Sequence, residues 1–152
     1  MQINELISPQ RINQSLPATS KKKLLEEISG LLHQDEPDVD ENAAFHSLIE
    51  RERLGSTGIG HGIALPHGRL RGLQKAIGAF AVLENEMEFD AIDNKPVKMV
   101  FALLVPEHAN EEHLKLLSQL AGIFDNAETR ELLLHASNKD EIYQYLTSRD
   151  DG

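Results

Sequence analysis

The sequence predicts an α/β domain with a central sheet held between helical layers, and three observations carry that prediction. Two apolar runs of strand length, Ala76–Leu83 and Val97–Val105, lack polar alternation, so both faces of the strands they form must be covered. The segments around them carry apolar residues at helical spacing, which supplies the cover. A chain of 152 residues with 40% apolar side chains suffices for one domain over residues 1–152. Such a domain buries roughly 68–70% of its unfolded surface within a radius of gyration of about 15 Å. Two domains would leave each with too small a core.

From Ser20 to His33, Leu24, Leu25, Ile28, Leu31 and Leu32 recur on one face of a helix. Lys21, Lys22 and Lys23 fall in its first turn, where the macrodipole disfavours cations, and read as a solvated face, with a docking patch as the alternative. The acidic stretch Asp35–Glu41, broken by Pro37, reads as a solvated connection. Asp40 is placed to cap a second helix through Ala43, Ala44, Leu48 and Ile49 to Leu54, with Gly55 as its stop. A short strand is expected at Ile63–Leu65, and Asp93–Pro96 forms a turn before the second apolar run. Asn110 is expected to cap a helix with Leu114, Leu117, Leu120, Ala121 and Phe124 on one stripe, followed by a shorter helix over Ala127–His135. Asn138 and Glu141 approximate a capping box for a last helix that buries Ile142, Tyr145 and Leu146.

Composition removes several function classes. With 25 acidic side chains against 15 lysines and arginines, the net charge of −10 argues against a general nucleic-acid binder and suits a basic protein partner. The absence of cysteine removes disulfides, thiolate metal sites and a cysteine nucleophile, leaving chemistry to histidine, carboxylates and hydroxyls. The N-terminus has neither the basic nor the apolar region of a signal peptide, and the longest apolar run, Met99–Val105, is too short to span a bilayer. The expectation is a soluble cytoplasmic protein without membrane insertion.

Between Arg51 and Arg69 the sequence reads RERLGSTGIGHGIALPHGR, with Gly55, Gly58, Gly60, Gly62 and Gly68. Glycine at this density costs chain entropy and requires a conformational or access reason. Two readings stay open: a run of tight turns, or a site in which the backbone at Gly58, Gly60 and Gly62 and the hydroxyls of Ser56 and Thr57 bind an anionic group. No Gly-Lys-Ser/Thr follows, so this is not a phosphate-binding loop of the Walker type, and the glycine spacing is wrong for a dinucleotide fingerprint.

His67 stands between Pro66 and Gly68. With a reference pKa of about 6.5, an imidazole on such a turn is largely neutral near pH 7 and can act as a nucleophile towards phosphorus. An unremarkable surface histidine is the competing reading. His113 falls in the first turn of its helix, where the dipole favours a neutral imidazole beside a nearby anion. Arg51 is placed to stabilise a transferring phosphoryl charge, although Arg51 and Arg53 also suit an exposed helix face. A zinc site of His61, His67 and His113 is the rival chemistry, but the spacing is irregular and no HExxH occurs, so no metal or other cofactor is expected. His33, His46, His108 and His135 read as surface or edge residues.

Three segments in order, GSTGIGHGIALPHGR, FDAIDNKPV and FALLVPEHANEEHLKLLSQLA, closely resemble the enzyme IIA family of the bacterial phosphoenolpyruvate-dependent phosphotransferase system, fructose/mannitol type, nitrogen-regulatory branch. The resemblance covers nearly the whole chain and implies a three-layer α/β/α sandwich with a central mixed sheet. It implies that His67 accepts a phosphoryl group from the phosphohistidine of an HPr-like carrier, itself charged by enzyme I, with Arg51 and His113 as the other active-site residues. It further implies that the phosphorylation state regulates partner proteins such as sensor kinases or ion transporters. A sugar-specific IIA passing phosphate to a separate IIB, or a phosphate-independent interaction module, are the alternatives. His61 stands where a small polar residue is expected.

Overall fold

The computed structural model describes residues 2–109 and 111–148. In chain order the elements are α1 (Ile3–Leu6), β1 (Ile12–Leu16), α2 (Lys21–Asp35), α3 (Glu41–Leu54), β2 (Gly58–Gly60), β3 (Ile63–Ala64), β4 (His67–Leu70), β5 (Ile77–Met87), β6 (Val97–Pro106), α4 (Glu111–Phe124), α5 (Ala127–Leu134) and α6 (Lys139–Thr147). The helix starts follow from their side chains. Ser20, Asp40, Asn126 and Asn138 each accept a hydrogen bond from the backbone amide three residues on, satisfying a donor the helix itself leaves open. The capping box at α6 is half formed: Asn138 accepts from Glu141 N, but the Glu141 carboxylate accepts from Ser137 N, one residue early. The cap expected at Asn110 lies outside the described residues.

The sheet is mixed. Its centre is the antiparallel pair β5–β6; β1 runs parallel to β5 on one side, and β3 and β4 run parallel to β6 on the other, with β2 antiparallel to β3 at the edge. Period-two alternation splits the two apolar runs between two cores. Ala79, Ala81, Leu83, Val100, Ala102 and Leu104 face α2 and α3, meeting Leu24, Leu25, Ile28, Leu32, Ala44 and Leu48. Phe80, Val82, Phe101 and Leu103 face the other layer, meeting Leu116, Leu120 and Phe124 of α4 together with Leu133, Ile142 and Leu146. There the rings of Phe80, Phe101 and Phe124 lie 5.9 to 6.3 Å apart, within the range of favourable aromatic pairing. The result is an α/β/α sandwich. Among the described residues no helix is long and apolar enough to cross a membrane.

Two expectations are corrected. Leu114 is 61% exposed, and the buried stripe of α4 is Leu116, Leu120, Ile123 and Phe124. Both stripes share Leu120 and Phe124, so spacing alone does not choose between them; the aromatic contacts with β5 and β6 set the rotation. Lys21 is not part of a solvated face: its ammonium lies 3.1 Å from the buried Glu52 and 4.6 Å from the Phe89 ring centroid, whereas Lys22 and Lys23 are exposed.

Candidate functional site

The site is built where one edge of β6 changes partner. Ile63 and Ala64 of β3 pair with Met99 and Val100, and then His67 to Leu70 of β4 pair with Leu103 to Pro106. Leu65 and Pro66 bridge the interval. The Leu65 amide turns outward to donate to Thr57 O at 2.9 Å, and Pro66, which has no amide proton, leaves no donor stranded while its carbonyl accepts from Leu103 N at 2.9 Å. His67 is the first residue after this break.

Its ring is fixed by the same turn. Nδ1 of His67 lies 2.9 Å from the Leu65 carbonyl oxygen. A carbonyl only accepts, so Nδ1 carries the proton and Nε2 keeps the lone pair. His67 opposes Leu103, which packs in the α4 layer, and parallel-strand partners point to the same face. That directs the imidazole towards α4, where the His113 ring sits 6.1 Å away, centroid to centroid, with the planes inclined at 39°. Burial of the half-exposed His67 holds its pKa below the ordinary histidine value of 6.5; the Leu65 hydrogen bond opposes the shift, the charges of Arg51 and His113 add to it, and Glu52 opposes it. The imidazole is therefore neutral at pH 7 with one nitrogen available to an electrophile.

Gly68 brings α3 to this edge. A Cβ at position 68 would lie 2.2 Å from Ser47 Oγ and 3.1 Å from Ser47 O, so only glycine permits the helix to pack this closely. The Ser47 hydroxyl also donates to Arg69 O at 2.7 Å. Arg51, one helical turn after Ser47, is thereby held near the edge. It donates to Gly55 O at 2.9 Å and has no carboxylate partner among the described residues, which leaves a cation available close to His67.

The other residues singled out from the sequence are placed differently. Thr57 is buried and spends both its amide and its hydroxyl on Glu52. Ser56 donates its hydroxyl to Phe89 O and accepts from Gly58 N. These groups brace the loop, their donors engaged within it. Gly60 and Gly62 have φ of 98° and 79° and form the β2–β3 turn around His61, whose own φ is 57°. That turn precedes Ile63, and from Ile63 to His67 the register advances from Met99 to Leu103, about 13 Å along β6. Gly60 and Gly62 thus lie away from His67, and His61 borders Ala121, Gly122 and Asp125 at the opposite end of α4 from His113. The three histidines weighed as zinc ligands do not converge.

Sequence reasoning missed Glu52, the Leu65 carbonyl and Arg69. The Arg69 guanidinium donates to the carbonyls of Glu107 and Ala109, tying β4 to the loop that precedes α4 and its His113. A backbone acceptor has no sequence signal, but an arginine two residues after the histidine and a glutamate beside Arg51 were both visible.

The edge of the mixed sheet thus holds a neutral, restrained imidazole with a second histidine and an arginine beside it. The chain belongs to the family described as phosphoenolpyruvate-dependent sugar phosphotransferase system, EIIA 2, which matches residues 5–149. It is 41% identical to the nitrogen regulatory protein of Pseudomonas aeruginosa, over 100% of this chain and 99% of that one. It is 39% identical to the fructose-specific EIIA component of Haloferax volcanii over 70% of each. The crystal structure of nitrogen regulatory protein IIA-Ntr from Neisseria meningitidis superposes with a TM-score of 0.88 at 42% identity, covering 95% of this chain and 99% of that one.

Proposed function

We propose that this protein is a phosphoryl-accepting, nitrogen-regulatory enzyme IIA, in which His67 takes its group from the phosphohistidine of an HPr-like carrier. The observation that carries the reading is the Leu65–His67 hydrogen bond, which leaves Nε2 as the nucleophile of a neutral ring. In the step, a P–N bond forms at His67 Nε2 as the carrier's P–N bond breaks and the carrier nitrogen recovers its lone pair. The Leu65 carbonyl stabilises the positive charge that develops on the attacked ring. Arg51 and His113 meet the charge on the phosphoryl oxygens. Phosphorylation adds about −1.5 to −2 charges where a partner docks, so a regulated protein, for instance a sensor kinase or an ion transporter, would distinguish the two states by repulsion and lost burial.

Incubation with phosphoenolpyruvate, enzyme I and the carrier tests the reading. One acid-labile phosphate should appear on the wild type and not on His67→Ala; label retained by that variant would overturn it. The similarity to a fructose-specific EIIA component supports a second reading, in which the group passes to a sugar-specific IIB in trans. Loss of label from the phosphorylated protein on adding such a IIB would favour it.

A further inference from the structure

Glu52 is buried, its side chain 3% exposed, and it takes no part in the chemistry described above. Its Oε1 accepts the Thr57 hydroxyl at 2.6 Å; its Oε2 accepts the Thr57 amide at 3.0 Å and the Lys21 ammonium at 3.1 Å. Three donors on one carboxylate make it fully satisfied, which a buried charge requires. Thr57 does not end the connection. Its carbonyl accepts the Leu65 amide at 2.9 Å, and the Leu65 carbonyl holds His67 Nδ1 at 2.9 Å. An unbroken sequence of hydrogen bonds therefore runs from Glu52 through Thr57 and Leu65 to the imidazole, and it spans the interval between β3 and β4, where the Pro66 carbonyl makes the bond to β6. Glu52 also adjoins Arg51, whose guanidinium closes the same loop on Gly55 O.

We propose that Glu52 is a positioning residue for phosphoryl acceptance at His67, acting through Thr57 and Leu65, with Lys21 of α2 as the counter-charge that keeps its carboxylate from competing for Arg51. This rests on the phosphoryl-acceptor reading. The charged and titratable groups acting on His67 are Arg51 and Glu52 from α3 and His113 from α4; those facing Glu52 are Lys21 and, through it, Asp90, 3.7 Å from the ammonium. Loss of the Glu52 charge alone moves the His67 titration directly, whereas a Glu52 that serves only stability would leave the transfer rate of the folded variants where it is.

The experiment compares wild type, Glu52→Gln, Lys21→Met and Thr57→Val by the His67 titration in imidazole NMR and by the rate of transfer from the phosphorylated carrier, with thermal unfolding as a check on folding. Glu52→Gln should lower the His67 midpoint, because a charge that favours the protonated ring is gone, and should slow transfer about tenfold or more, as expected for a displaced reacting group. Lys21→Met should move the midpoint upward, because the carboxylate is no longer neutralised, and Thr57→Val should slow transfer with the midpoint unchanged. If Glu52→Gln does not fold, the Thr57→Val transfer rate decides. A wild type that accepts phosphate beside folded variants with its own midpoint and rate overturns this proposal alone. A wild type that accepts none overturns the phosphoryl-acceptor reading and this proposal with it.

Discussion

The Leu65 carbonyl oxygen accepts the Nδ1 proton of His67 at 2.9 Å, two residues back along the same chain. With Nδ1 occupied, phosphate should be found on Nε2, and ¹⁵N–³¹P coupling on the labelled phosphoprotein distinguishes the two nitrogens; a signal from Nδ1 would show that the turn opens before transfer. The free protein should titrate at His67 below 6.5 because burial penalises the charged ring. Acceptance should be flat from pH 8 to 7 and fall as the pH drops through the depressed folded-state value. The sign for stability follows: below pH about 6.5 the unfolded chain binds the proton first, so folding weakens as pH falls from there to the folded-state midpoint.

Removing either flanking group should slow transfer and raise the His67 midpoint, since both Arg51 and His113 lower it. For Arg51→Ala and His113→Ala the expected loss is about 10²-fold in rate, the order found on deleting one charge-stabilising donor. Rapid-quench transfer from the labelled carrier measures it, and a loss under about twofold in both would assign the phosphoryl charge to other groups.

Gly68→Ala should cost about 1–3 kcal/mol by overpacking against Ser47 and should also slow transfer, because α3 carries Arg51. Urea unfolding with a parallel transfer assay reads both. A folded variant of wild-type rate would mean that the Ser47 approach does not set the position of Arg51.

Position 61 should be tolerant. His61 holds φ of 57° at a turn tip, a region where asparagine is at ease, so His61→Asn should preserve the transfer rate and leave stability within about 0.5 kcal/mol. A large loss of transfer would restore His61 to the site.

Arg11 supplies a prediction remote from the chemistry. It is 7% exposed, pairs with Asp35 at 2.5 Å, and donates to Gly78 O and Leu6 O, joining the N-terminal segment to α2 and β5. Arg11→Ala leaves two carbonyls without their donor and takes the charged partner from Asp35, which keeps the Ser8 hydroxyl, and should cost about 3 kcal/mol in denaturant unfolding. Transfer by the fraction still folded should be unchanged.

The parts of the fold legible in the sequence were those whose signal is local. Asp40 and Asn138 cap the helices they were expected to cap, and the runs at Ala76–Leu83 and Val97–Val105 are the two central strands, because a cap and an unbroken apolar run are both read from neighbouring residues. β1, β2 and β4 carried no such signal. Ile12–Leu16 is an edge strand with polar residues at its centre, and the other two lie in the glycine segment and exist only because β3 and β6 pair with them.

The same division runs through the site. His67 stood out because proline and glycine flank it, and Arg51 and His113 followed from the motifs around them; sequence by itself determined which side chains the proposed chemistry is assigned to. Only the tertiary structure decided that the hydroxyls of Ser56 and Thr57 are consumed inside the loop, that Gly60 and Gly62 belong to a distant turn, and that Glu52 is tied to His67 through two intervening residues. The physical reason is that a hydrogen bond depends on where the backbone delivers its donors and acceptors. At the edge of β6, that is settled by the strand pairing that ends at Ala64 and resumes at His67.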